Sequence, residues 1–191
     1  MEMTETEIDR AIGARVRRLR DERGLTLDAL AARSGVSRAM LSRIERGESS
    51  PTAQLLAKVC GGLGVTMPML FAPEASRAEP LSRHTAQPVW RDPGSGYLRR
   101  TVSPPGTGSA AEITEVVFPP GATVAFEAQQ ADADQQVWVL DGKLDLTVGD
   151  DLYQLESGDC LHMRFGRPIV FHNPYPRPVR YAVVIARRSL G

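Results

Sequence analysis

Residues 26–47 read TLDALAARSGVSRAMLSRIERG, and the fold of the first third of the chain follows from how this stretch divides. Thr26 and Ser37 are helix N-cap residue types, and each precedes a run long enough for only two turns. Ser34-Gly35 separates the two runs, and Gly47 closes the second. On a wheel of about 100° per residue, Met40, Leu41 and Ile44 fall on one side of the second helix. Ala39, Ser42, Arg43 and Arg46 fall on the other, and Arg38 sits in the exposed first turn. Small Ala31 stands where two such helices must cross. Short helices meeting at a tight Gly-containing turn make a helix-turn-helix.

Working outward, Ile8, Ile12, Val16 and Leu19 recur at helical spacing and predict a helix from about Glu5 to Glu22, stopped by Arg23-Gly24. Downstream, Pro51-Thr52 starts a fourth helix carrying Leu55, Leu56, Val59, Cys60 and Leu63, which ends near Gly61-Gly62 and Gly64. A short fifth lies around residues 67–71. Charge supports a separate role for this region. The chain of 191 residues balances 23 Lys+Arg against 23 Asp+Glu, yet residues 10–58 hold eleven basic groups and five acidic ones. Residues 112–159 hold eleven acidic groups and one basic one, Lys143. A compact basic segment is a candidate binder of phosphates.

After residue 72 the run PEASRAEP has no periodicity and reads as a linker. Beyond it come short β-type runs at residues 112–118, 136–140, 143–148, 160–165, 169–172 and 179–186, separated by turn signals. Asp141-Gly142, between two apolar runs, predicts a two-residue hairpin. The whole reads as α followed by β: an acidic tail at 1–7, a five-helix domain at 8–72, a linker at 73–85 and an all-β domain at 86–191. No apolar run approaches the ~18 residues of a membrane span, and the acidic start predicts no secretory signal. Cys60 and Cys160 stand too far apart to suggest a disulfide framework or zinc site, and Cys160 reads as a buried apolar residue. The expectation is a cytoplasmic protein with no membrane contact.

Two resemblances sharpen this reading. The run IGARVRRLRDERGLTLDALA (12–31) with SGVSRAMLSRIERG (34–47) resembles the XRE-type, lambda-repressor-like DNA-binding domain. The resemblance implies that Arg38, Ala39, Ser42 and Arg43 read base edges in duplex DNA, and that Glu45 pairs with Arg20 on the first helix. The helix starts at Thr26, Ser37 and Thr52, together with Arg46, are candidate phosphate contacts. The runs FPPGATVAFEAQ (118–129), QQVWVLDGKLDLTVG (135–149), LESGD (155–159) and PIVFHNP (168–174) resemble the two motifs of the cupin family, a double-stranded β-helix or jelly roll.

Many cupins hold a metal on His, His, Glu and His. The matching positions here are Glu127, Gln129, Gln135 and Ile169, a set with no imidazole or thiolate. The expectation is therefore no metal and no cofactor. An iron-dependent oxygenase or epoxidase with the same domain order is the rival reading, but only Glu127 offers a donor of the right kind, so catalysis is not expected. Glu127 and Gln129 alternate with Ala125, and Gln135 with Val137 and Val139. If those faces point inward, Glu127, Gln129, Gln135 and Ile169 form a pocket for a small organic effector with a cationic or hydroxyl group. Trp138 and Leu140 would then face outward and serve a homodimer, as a palindromic operator requires.

Overall fold

A computed structural model describes residues 4–71, 79–128 and 133–187. The chain divides into two compact units, 1–73 and 74–191. The first is helical: α1 (Glu5–Glu22), α2 (Leu27–Ser34), α3 (Arg38–Glu45), α4 (Ala53–Leu63) and α5 (Met67–Phe71). Each of the first four begins at a Ser or Thr whose hydroxyl accepts a backbone N–H from the first turn: Thr4 from Glu7, Thr26 from Ala29, Ser37 from Met40, Thr52 from Leu55. At α1 the Glu7 carboxylate reaches back to the Thr4 N–H and completes a capping box. The helix thus starts at Glu5, as the apolar spacing predicts, and Thr4 of the expected acidic tail is its cap.

The core of this unit is Ile12, Val16, Leu19, Leu30, Leu41, Ile44, Leu56 and Val59, all buried. Two glycines allow its helices to approach closely. A Cβ on Gly13 would lie 2.1 Å from the Ile44 carbonyl oxygen, so α1 can cross α3 there only because residue 13 has no side chain. Gly62 faces Ser34 in the same way, its Cβ position 2.7 Å from that residue's Cβ. α4 ends at Leu63 with Gly64 as its left-handed cap, within the stretch the glycines mark.

The second unit is two antiparallel sheets. β1 (Val89–Arg91), β2 (Leu98–Thr101), β3 (Ala111–Phe118), β5 (Ala133–Asp141), β8 (Cys160–Arg164) and β10 (Val179–Arg187) form the larger, in the order β1-β2-β3-β10-β5-β8. β4 (Thr123–Phe126), β6 (Lys143–Val148), β7 (Asp151–Glu156) and β9 (Ile169–His172) form the smaller, in the order β4-β9-β6-β7. Asp141-Gly142 is not a hairpin turn. β5 pairs with β10 and β8, β6 with β7 and β9, so at Gly142 the chain crosses from one sheet to the other. Gly142 has φ 91°, and a Cβ there would sit 3.0 Å from the Pro178 carbonyl. The two-residue hairpin lies instead at Gly149-Asp150, between Val148 and Asp151.

Aromatic packing runs through the interior of the two-sheet unit. Trp90, Tyr97, Phe118, Tyr181, Phe171 and Phe126 form successive ring contacts at 5.7–6.3 Å between centroids. Burial pushes the Tyr97 and Tyr181 phenols well above their ordinary range. Fully buried Asn173 pins the adjacent loops, donating to the Phe118 and Arg177 carbonyls at 3.1 and 2.9 Å and accepting from the Tyr175 N–H at 3.1 Å. Overpacking a close helix crossing costs about 1–3 kcal/mol. Gly13→Ala is therefore expected to lower the unfolding midpoint of the helical unit, while Gly61→Ala, whose Cβ meets nothing within 4 Å, leaves it unchanged or raises it. Thermal denaturation of the two variants checks both signs.

Candidate functional site

The helix-turn-helix is assembled on α1. Arg20 donates Nε to Glu45 Oε1 at 2.6 Å and Nη2 to Oε2 at 2.9 Å, a two-pronged pair whose side chains are 12% and 7% exposed. Its third nitrogen donates to the Leu25 carbonyl at 2.9 Å and to Asp21 at 2.7 Å. The Glu45 bonds hold the Arg20 guanidinium above its already high pKa. One residue thereby ties α1 to the end of α3 and to the loop before α2. The pair that the family likeness implies is present, and the geometry supplies its reason.

With α3 held this way, Leu41 and Ile44 are buried, while Arg38, Ala39 and Arg43 are exposed and Ser42 half-buried. The four expected base-reading residues share the outward surface of α3. Their ionic partners differ. Arg38 Nε lies 3.2 Å from Asp28 Oδ1 on α2, both side chains well exposed. Arg46 donates Nε and Nη2 to Glu48 at 2.8 and 2.7 Å, and Nη1 to Ser42 Oγ at 2.5 Å. Ser42, expected to read a base, and Arg46, expected to hold a phosphate, therefore belong to one chain of bonds ending in a carboxylate. Exposed pairs of this kind contribute only about 0–1 kcal/mol, so a phosphate can displace Glu48. At Thr26, Ser37 and Thr52 the hydroxyl serves its own helix, and the remaining first-turn N–H groups are what could meet a phosphate.

In the β unit the expected pocket residues separate. Gln135 is buried on the inner face with Val137 and Val139, and Ile169 is buried beside Phe171. Glu127 is not inside. On β4 it is Val124 and Phe126 that turn inward, Ala125 is exposed, and Glu127 follows the strand exposed with the parity of Ala125. The faces expected to carry Ala125 and Glu127 inward are reversed, because the apolar residues of β4 occupy the even positions. Gln129 lies outside the described residues. His172 falls on the outer parity of β9, and His162 on β8 lies outside, 3.2 Å from Asp134. Cys160 is exposed, a correction to its expected burial, because it pairs with outward Trp138 at the edge strand β8.

Amide Gln135 and aliphatic Ile169 at the inner positions, with both strand histidines outside, do not fit a transition metal. Among the described residues no cluster of three or more His, Cys, Asp and Glu could hold one.

A helix-turn-helix family model matches residues 16–70, and a cupin-domain model matches residues 114–185. The chain is 39% identical over 67 residues to an HTH-type transcriptional regulator of Sinorhizobium fredii, covering 87% of that protein. It belongs to the XRE-type helix-turn-helix regulators. It is also 29% identical over 177 residues to HTH-type transcriptional regulator SutR of Escherichia coli, 92% of this chain and 94% of that one. The crystal structure of an HTH_3 family transcriptional regulator from Vibrio cholerae superposes with a TM-score of 0.79, 24% identity, and coverage of 97% and 100% of the two chains, which establishes a shared fold. The protein is thus a DNA-binding transcriptional regulator with an N-terminal helix-turn-helix and a C-terminal cupin domain. No described helix is long and apolar enough to cross a membrane.

The Arg46–Glu48 pair gives this regulator a testable feature. Glu48→Ala frees the guanidinium and removes a negative charge beside the groove. Its affinity for unrelated duplex DNA is expected to rise in low salt, with the salt slope steeper by about one unit. Fluorescence anisotropy over a salt series measures both.

Proposed function

We propose that the chain is a homodimeric regulator that binds a palindromic operator through α3 and senses a small-molecule effector in its cupin domain. The observation that carries the reading is the outward surface of α3. Arg38, Ala39, Ser42 and Arg43 stand together on a helix whose axis is held by a buried ion pair. Arginine bonds guanine O6 and N7 in a fork, serine accepts either base type, and alanine meets a thymine methyl. Arg38 and Arg43 take the guanine roles. Thr26, Ser37 and Thr52 place helix starts, and Arg46 a cation, where phosphates flank the groove.

A single module of this size buries too little DNA surface for high specificity, which is why a second copy is needed. The outer face of the larger cupin sheet suits that second copy. Trp138 is 48% exposed there, Ile113 and Val117 are exposed on the same face, and Ala182 and Val184 lie between them in register. Effector binding would shift the operator affinity through unequal affinity for two states of the dimer. The relatives named transcriptional regulators support regulation over catalysis, and the inner residues of the cupin mouth support an effector taken without metal or cofactor. Such a regulator acts in the cytoplasm.

Two outcomes follow. Arg43→Ala is expected to weaken operator binding by about 1–3 kcal/mol while leaving unrelated sequences nearly unaffected. Binding to genomic fragments, then to the selected site and a scrambled duplex, separates these effects, and equal losses on every sequence would make Arg43 a phosphate contact. Trp138→Glu is expected to move the sedimentation of the chain from dimer to monomer and to weaken binding to a two-half-site operator more than to a single half-site.

A further inference from the structure

The first turn of α3 carries a cation where the helix itself disfavours one. Arg38 opens the helix directly after the Ser37 cap, and that first turn holds no acidic residue. The N-terminal end of a helix carries partial positive charge, so an arginine there is unfavourable and a carboxylate would be favoured. α2 has the favoured choice, Asp28 in its first turn. The helix-turn-helix brings these two residues together: Arg38 Nε lies 3.2 Å from Asp28 Oδ1, with side chains 65% and 77% exposed. So exposed a pair adds little to stability. A residue that works against its own helix and gains little from its partner points to recognition, not to folding.

The side of the guanidinium that Asp28 meets decides what remains for DNA. The ion pair is made through Nε, and among the described residues no hydrogen bond engages Nη1 or Nη2 of Arg38. Those two terminal nitrogens form the fork that matches O6 and N7 of guanine. Arg46, at the other end of α3, is the contrast: it donates Nε and Nη2 to Glu48 and Nη1 to Ser42, so all three of its nitrogens are used. The Asp28 carboxylate also changes which acceptor Arg38 prefers. It offsets the arginine's charge at short range and so weakens its pull on a phosphate, whereas the guanine edge is an uncharged pair of acceptors and loses less. Side-chain entropy acts in the same direction. A long arginine tethered at Nε has fewer rotamers to lose on meeting a base.

We propose that Asp28 is a positioning residue for base reading: from α2 it holds the Nε side of Arg38, so that the Nη1–Nη2 fork addresses O6 and N7 of a single guanine in each half-site. The proposal rests on the reading of α3 as the base-reading helix, and adds a residue outside α3 that sets the selectivity of one of its arginines. In this role Asp28 needs no contact with DNA, and its own charge lowers the affinity for every duplex. Selectivity rises at one base pair while overall affinity falls, so a substitution separates the two effects by sign.

The test uses the full chain. Wild type first selects its site from a random duplex library, and each G·C pair of that site is then replaced in turn by A·T. Fluorescence anisotropy at one salt concentration gives the affinity for each of these duplexes and for an unrelated one. Arg38→Ala is expected to abolish the guanine preference at one position of the half-site. Asp28→Asn is expected to bind the unrelated duplex several-fold more tightly and to lose about tenfold of the preference at that same position, with the other positions unchanged. Asp28→Glu, which returns the carboxylate, is expected to restore most of it. Asp28→Asn with the wild-type guanine preference at the Arg38 position overturns the proposal, and so does an equal loss of preference at every position. Arg38→Ala that keeps every base preference overturns it too, while leaving α3 as the base-reading helix if Arg43→Ala alters one. Wild type that selects no site from the library removes base reading by α3 and the proposal together.

Discussion

The buried contact between Arg20 and Glu45 is the constraint on which the DNA-facing half depends. Two short helices of eight residues each cannot hold their own orientation, since isolated helices of that length are marginal. Their direction must come from α1. A two-pronged pair with side chains only 12% and 7% exposed is worth more than the exposed pairs on α3, which contribute about 0–1 kcal/mol each. The axis of α3 is consequently fixed, whereas the tips of Arg38 and Arg46 rest in exposed pairs with Asp28 and Glu48. A rigid helix with exchangeable tips suits a protein that must find one sequence among many. Gly13 completes the arrangement, since without its missing side chain α1 could not come near enough for Arg20 to reach Glu45.

In the cupin half, at the end beside Asn173, the rings of Trp90, Tyr97, Phe118 and Tyr181 leave the interior packed. The glycine corner at residue 142 passes the chain from the larger sheet to the smaller one, close to Val179, the register partner of Phe118.

Much of the architecture was legible in local chemistry. Caps at Thr26, Ser37 and Thr52, the left-handed glycines 24, 35 and 64, and the apolar stripes placed all five helices, because capping and amphipathic spacing act within a few residues. Six of the ten strands were also readable. β1, β2, β4 and β7 were not singled out: they are short or, like Asp151–Glu156, mostly exposed, so they carry little apolar alternation. The outward residues of α3 were readable from the helical wheel for the same reason as the helices.

The sequence by itself determined the order of the two domains, the helix boundaries, the outward side of α3 and the lack of imidazole at the metal positions, since each depends on neighbours within one or two turns or on residue type alone. Tertiary structure decided whether Asp141-Gly142 turns back or crosses over, which face of β4 points inward, and that Arg99 lies inside. Strand alternation defines two faces but does not say which is buried; that choice is made by the opposite sheet, whose residues lie tens of positions away in the chain.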